Sequence, residues 1–162
     1  MATTNLSSYD EQDVPDALKM RFGIVVADWN KDITWTLLDG AVKTLKEHRA
    51  SDNNIVVRHV PGSFELTLGA QFMAEYEDLD AIICLGCVIQ GETPHFTFIC
   101  QGVTQGITQL NMEYNLPFIF GVLTTNTKQQ ALDRSGGIHG NKGVEAAITA
   151  IRMAALQRDL EK

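Results

Sequence analysis

The chain has 162 residues, 44% hydrophobic and 20% charged, a balance that supplies one domain with a full core and argues against a second. Its formal net charge is −7 and its pI near 5.0, and no basic stripe offers a surface to nucleic acid or an anionic membrane. The N-terminal stretch lacks the apolar run of a signal peptide and no apolar run reaches membrane-spanning length, so the chain reads as soluble and cytoplasmic.

Residues 1–13 are polar and are expected to form a flexible segment ahead of a single domain over residues 14–162. Residues 21–28, RFGIVVAD, are almost continuously apolar and predict a first strand in the middle of a sheet, with Trp29 and Asn30 just past its end. Asp32 is placed to cap the helix that follows, with Leu38, Val42 and Leu45 on one face. Residues 54–60 predict a second strand. Pro61 and Gly62 end it, and Ser63 is positioned to cap a helix running through Phe64, Glu65 and Leu66.

The third strand starts the most informative stretch, AIICLGCVIQGETPHFTFIC at residues 81–100. Its apolar, β-branched first half is short enough to be a strand buried on both faces. Thr93 and Pro94 then predict a capped helix with His95 in its first turn. A helix opening directly after a strand presents unpaired backbone N–H groups and its positive dipole end, which suits a phosphate, and an imidazole beside them can move protons. Taken alone, His95 could equally be an exposed helix-start histidine. The helix carries Phe96, Ile99, Cys100, Val103, Ile107 and Leu110 at helical spacing, a core stripe.

Cys84 and Cys87 spell a CxxC, but residues an odd number apart on a strand point to opposite faces, so their sulfurs should not converge on a metal or form a redox pair. With Cys100 they make an odd set, which argues against a disulfide framework. Residues 117–124 predict a fourth strand, 128–134 a short helix, and about 142–160 a long one with Val144, Ala147, Ile148, Ile151 and Ala155 on one face.

Strand and helix alternate four times, which defines an α/β class with a four-stranded parallel sheet flanked by helices on both sides. Ligands gather at the carboxyl ends of such strands, where this chain places an aromatic ring, a carboxylate, a helix start and a histidine. A flavodoxin-type phosphate loop is missing after the first strand, a receiver-type aspartate is missing after the third, and Lys142 follows Asn141 rather than the Gly of a Walker A loop.

The ordered motifs VPGSFEL, LGCVIQGETPHF, PFIFGVLTTNT and GNKGVEAA resemble the lumazine synthase family from residue 22 to about 160. The resemblance implies a flavodoxin-like three-layer sandwich, homopentamers with active sites between adjacent subunits, and no cofactor. It implies condensation of 5-amino-6-(D-ribitylamino)uracil with 3,4-dihydroxy-2-butanone 4-phosphate to give 6,7-dimethyl-8-ribityllumazine, the penultimate step of riboflavin biosynthesis. By the same resemblance His95 transfers protons and Trp29 stacks on the uracil. Ser63, Phe64 and Glu65 hold the ribityl chain, and Cys87, Val88 and Ile89 contact the pyrimidine. Glu92 and Thr93 line the phosphate end through main-chain groups. Phe120, Arg134 and Lys142 come from the neighbouring subunit, Arg134 as the phosphate clamp. Gln90 and Ile138 depart from the family, which commonly carries basic residues there. The alternative is a non-catalytic lumazine- or flavin-binding module on the same scaffold. Residues 135–141 have the compact length of members that stack twelve pentamers into an icosahedral shell, so a sixty-subunit shell is expected, with a free pentamer as runner-up.

Overall fold

A computed structural model describes residues 9–162. Four strands, β1 (Phe22–Ala27), β2 (Ile55–Val60), β3 (Ala81–Ile89) and β4 (Phe118–Thr125), form one parallel sheet in the order β2-β1-β3-β4. The predicted central strands are central: every residue of β1 and the first seven of β3 are buried, whereas β2 at the edge is partly exposed throughout. Helices α1 (Lys31–Glu47) and α5 (Lys142–Leu160) cover one face, and α2 (Leu66–Tyr76) and α3 (His95–Tyr114) the other. The short α4 (Lys128–Arg134) follows β4 with the predicted bounds. Among the described residues no helix is long and apolar enough to cross a membrane.

Cys87 packs into the core on the α1 and α5 side and Cys84 into the core on the α2 and α3 side, as their odd spacing on one strand requires. Burial pushes both thiols up to about 12, so neither supplies a thiolate at neutral pH.

Three helix starts differ from the sequence reading. Helix α1 is preceded by Asn30 in the left-handed conformation (φ 58°), and Asp32 lies in the first turn, paired with Lys128 at 2.7 Å. Asn tolerates that conformation, and its amide is used elsewhere. Before α2 the chain makes a 3-10 turn over Ser63–Glu65, in which the Gly62 N–H donates to Glu65 Oε2 at 3.0 Å; Ser63 does not act as the cap. Helix α3 begins at His95, and the Pro94 carbonyl accepts from the Thr97 and Phe98 N–H groups at 3.0 and 3.3 Å, so the Thr93 hydroxyl is not its cap.

Residues 1–8 of the expected flexible segment lie outside the described residues. Tyr9 packs against the core beside His48, and Val14, Ala17 and Met20 are buried. The compact link before α5 is a small antiparallel hairpin, β5 (Ser135–Gly137) and β6 (Gly140–Asn141). Gly140 sits there at φ 71°, a conformation that glycine adopts without strain. Asn141 caps α5 by accepting from the Gly143 N–H at 2.8 Å and donates to the Thr36 carbonyl of α1 at 2.9 Å.

Helix α5 packs against α1 and buries the small residues Ala146, Ala147, Ala150 and Ala154 in the core on that side of the sheet. The approach is closest at Gly143, where an added Cβ would stand 1.9 Å from the Leu37 carbonyl oxygen. Gly143→Ala therefore forces two backbones apart and is expected to cost about 1–3 kcal/mol or more. A thermal midpoint no lower than that of the parent would contradict this packing.

Candidate active site

In the order β2-β1-β3-β4 the chain goes from β1 out to β2 and then back across β1 to β3, so the direction of winding reverses between β1 and β3. A crevice opens at the carboxyl ends of strands at such a point. The Asn30 Nδ2–H donates to the Cys87 carbonyl at 3.2 Å and ties the two strand ends together across it. The Trp29 and Asp28 N–H groups donate to the Pro61 and Val60 carbonyls at 2.9 and 2.8 Å, which joins the end of β2 to the same place.

Several of the expected residues converge here. The Trp29 ring is 66% exposed and lies directly on Gly62, where a Cβ would come within 2.5 Å of the ring and 3.2 Å of Glu65 Oε2. An indole face and a carboxylate thus stand side by side over a glycine floor. The Ser63 hydroxyl is buried with no hydrogen-bond partner among the described residues, 2.6 Å from where a Cβ on Gly86 would sit. Gly86 immediately precedes Cys87, so this hydroxyl rests on the end of β3. The Phe64 ring extends over α3, 3.6 Å from a Cβ position on Gly102. Val88 and Ile89 are half-buried at the end of β3, and Glu92, Thr93 and His95 are exposed beyond it. The Gln90 N–H is held by the Thr125 carbonyl at 2.8 Å.

Phe120, Arg134 and Lys142 fall elsewhere. They line one groove of about 540 Å³ along β4 and the start of α5, together with Glu145 and Thr149, and neither Trp29, Glu65 nor His95 belongs to it. Arg134 Nη1 donates to the Gln130 carbonyl at 2.9 Å, and among the described residues no carboxylate pairs with its guanidinium. Lys142 is differently placed: its ammonium donates to both oxygens of Glu145 at 2.7 and 2.8 Å, so its charge is already paired within α5. Ile138, the departure in the β5–β6 turn, is exposed.

Sequence reasoning missed Asn30, Gly62 and Glu145. Asn30 was visible as a polar residue at a strand end, and Glu145 as an i,i+3 partner of Lys142 on one helix; the glycine floor depends on a contact between residues 29 and 62 that the local sequence does not encode. Among the described residues no group of three or more His, Cys, Asp or Glu side chains could hold a metal ion.

A parallel α/β sheet with an aromatic ring, a carboxylate, a buried hydroxyl and a helix start around its reversal point defines a small-molecule enzyme scaffold. The comparisons give the family. Residues 19–158 match the model of the 6,7-dimethyl-8-ribityllumazine synthase family. Proteins of that name are 62% identical over 155 residues in Parabacteroides distasonis, covering 94% of this chain and 97% of the relative, and 58% identical over 160 residues in Porphyromonas gingivalis, covering 98% and 99%. A third, from Phocaeicola vulgatus, is 57% identical over 164 residues and covers 100% and 98%. The chain belongs to the 6,7-dimethyl-8-ribityllumazine synthase family.

Proposed function

We infer that this chain condenses 5-amino-6-(D-ribitylamino)uracil with 3,4-dihydroxy-2-butanone 4-phosphate to form 6,7-dimethyl-8-ribityllumazine, as a transferase of riboflavin biosynthesis. Family membership over nearly the whole chain carries this reading. The assay is direct: mixing the purified protein with both substrates produces lumazine absorbance. No product at high enzyme concentration would overturn the reading and leave a binding module.

In the reaction the 5-amino group of the uracil adds to the butanone carbonyl and water is lost to give an imine. Phosphate then leaves, and the ribityl-bearing nitrogen closes the second ring with loss of water. Trp29 offers its exposed face to the uracil ring, while the backbone around Cys87, Val88 and Ile89 meets the pyrimidine edge. Ser63 and Glu65 receive the ribityl hydroxyls, the Ser63 hydroxyl gaining the partner it otherwise lacks and the Glu65 carboxylate accepting hydrogen bonds; Phe64 closes the side. Glu92 and Thr93 bring main-chain N–H groups at the opening of α3 to the phosphate, because the Glu92 carboxylate itself repels an anion. His95 moves the protons.

The groove holding Phe120, Arg134 and Lys142 completes the site when a neighbouring subunit brings it against the crevice. Two observations support this: these three residues line a groove apart from Trp29, Glu65 and His95, and among the described residues no carboxylate compensates the Arg134 guanidinium. Lys142 stands beside it with its charge shared by Glu145. Arg134→Ala is therefore expected to raise KM for the butanone phosphate about ten- to a hundredfold, as loss of hydrogen bonds to a charged group would. An equal rise for both substrates would point to an assembly defect instead.

A crevice on one side and a complementary groove on another form a heterologous contact, which closes into a ring, here a homopentamer. The short hairpin of residues 135–141 leaves pentamers free to stack, which favours the sixty-subunit shell. Sedimentation velocity separates the two: five chains of 17.9 kDa make about 90 kDa, and sixty make about 1.1 MDa. A biosynthetic role of this kind supports a cytoplasmic location.

A further inference from the structure

A cluster of polar and aromatic side chains flanks the crevice without belonging to it. Asp28 immediately precedes Trp29, and its Oδ1 accepts hydrogen bonds from His59 Nδ1–H of β2 at 2.8 Å and, more weakly, from Trp35 Nε1–H of α1 at 3.4 Å. The Trp35 ring meets the His59 ring edge-on, with centroids 5.7 Å apart. The Lys31 ammonium lies 6.0 Å from the centroid of the Trp35 ring. The His59 hydrogen bond holds the Asp28 carboxyl below its usual range, against the opposing effect of burial.

This arrangement acts on one turn. Residues 28–30 link β1 to α1 and carry Trp29; the Asp28 and Trp29 N–H groups are tied to the end of β2 at Val60 and Pro61, and the Asn30 side chain is tied to β3. Asp28 adds side-chain bonds from the same turn to two further places, one on β2 and one on the first turns of α1. A left-handed residue inside so short a turn leaves it few other ways to move, so side-chain anchors at its first position set the direction of the ring at its second.

We propose that Asp28, His59 and Trp35 form a clamp that positions Trp29 for the pyrimidine substrate. They are positioning residues: none is placed against substrate, and their effect travels through the Trp29 ring. The inference rests on the reading that Trp29 stacks on the uracil. Partly exposed pairs of this kind are modest in strength, so the clamp is expected to matter by about two- to fivefold.

The test uses the assembled enzyme, with each substrate varied in turn. Asp28→Ala and His59→Ala are expected to raise KM for the ribitylaminouracil about two- to fivefold, with kcat and KM for the butanone phosphate unchanged, while His59→Gln, which keeps a side-chain N–H, returns KM toward the parent value. Trp29→Ala serves as the reference and raises the same KM further. If Trp29→Ala raises it while Asp28→Ala and His59→Ala match the parent, the clamp is overturned and the stacking reading survives. If Trp29→Ala itself has no effect, the stacking reading falls and the clamp with it. Equal changes for both substrates, or altered sedimentation of the variants, would assign the cluster to folding or assembly and overturn the proposal.

Discussion

His95→Ala should lower kcat by about 10²–10⁴-fold at saturating substrates and leave the sedimentation profile of the assembly unchanged. The upper limit follows from what an imidazole contributes: general acid–base catalysis reaches that range, whereas holding two reactants in register is worth about 7–11 kcal/mol and does not depend on His95. His95 is exposed at the first residue of α3. Its replacement therefore opens no cavity in either core, and alanine is a better helix former than histidine. The decisive comparison is a steady-state rate measured beside far-ultraviolet circular dichroism and sedimentation. An unchanged rate would remove His95 from the proton transfers, and complete loss together with a smaller particle would make it structural.

The fold was legible where local pattern and global position agree. The unbroken apolar runs of β1 and β3 announced central strands because only burial on both faces makes such runs tolerable. Cys84 and Cys87 could be assigned to opposite faces from spacing alone, since the strand period is a rigid consequence of geometry. Helix starts were less legible. Asn30, Gly62 and Pro94 took positions expected of Asp32, Ser63 and Thr93 because each start also serves a long-range bond or turn that capping preferences do not include.

The site divides in the same way. Trp29, Glu65 and His95 stand at the carboxyl ends of the strands, where the fold class gathers ligands, while the roles expected of them came from the family resemblance. That Trp29 lies on Gly62 and that the Ser63 hydroxyl is buried against Gly86 with no partner among the described residues are outcomes of packing between elements far apart in sequence. The Asp28–His59 contact joins residues 31 apart for the same reason, and nothing near either one in sequence points to the other.

Leu68→Asp should break the assembly and with it nearly all activity. Phe64, Leu68, Phe72 and Tyr76 recur every fourth residue from the turn before α2 to its end, and they are 61%, 53%, 49% and 80% exposed. That is one continuous apolar stripe on a helix whose other face already fills the core with Leu66, Ala70 and Met73. A stripe of this length on a chain with net charge −7 marks an interaction surface, and in the proposed ring a neighbouring copy would cover it and bring Arg134 to the phosphate. Burying an unpaired carboxylate there costs several kcal/mol at every contact of the ring. The variant should sediment as a single chain of 17.9 kDa with native helix content and no measurable turnover. The same geometry makes a second demand. If the proposed ring holds, co-refolding equal amounts of the His95→Ala and Arg134→Ala chains should restore about a quarter of the sites, because each site would draw His95 from one chain and Arg134 from the next. If both residues acted from the same chain, the mixture would contain no intact site and would show only the residual rates of the two parents.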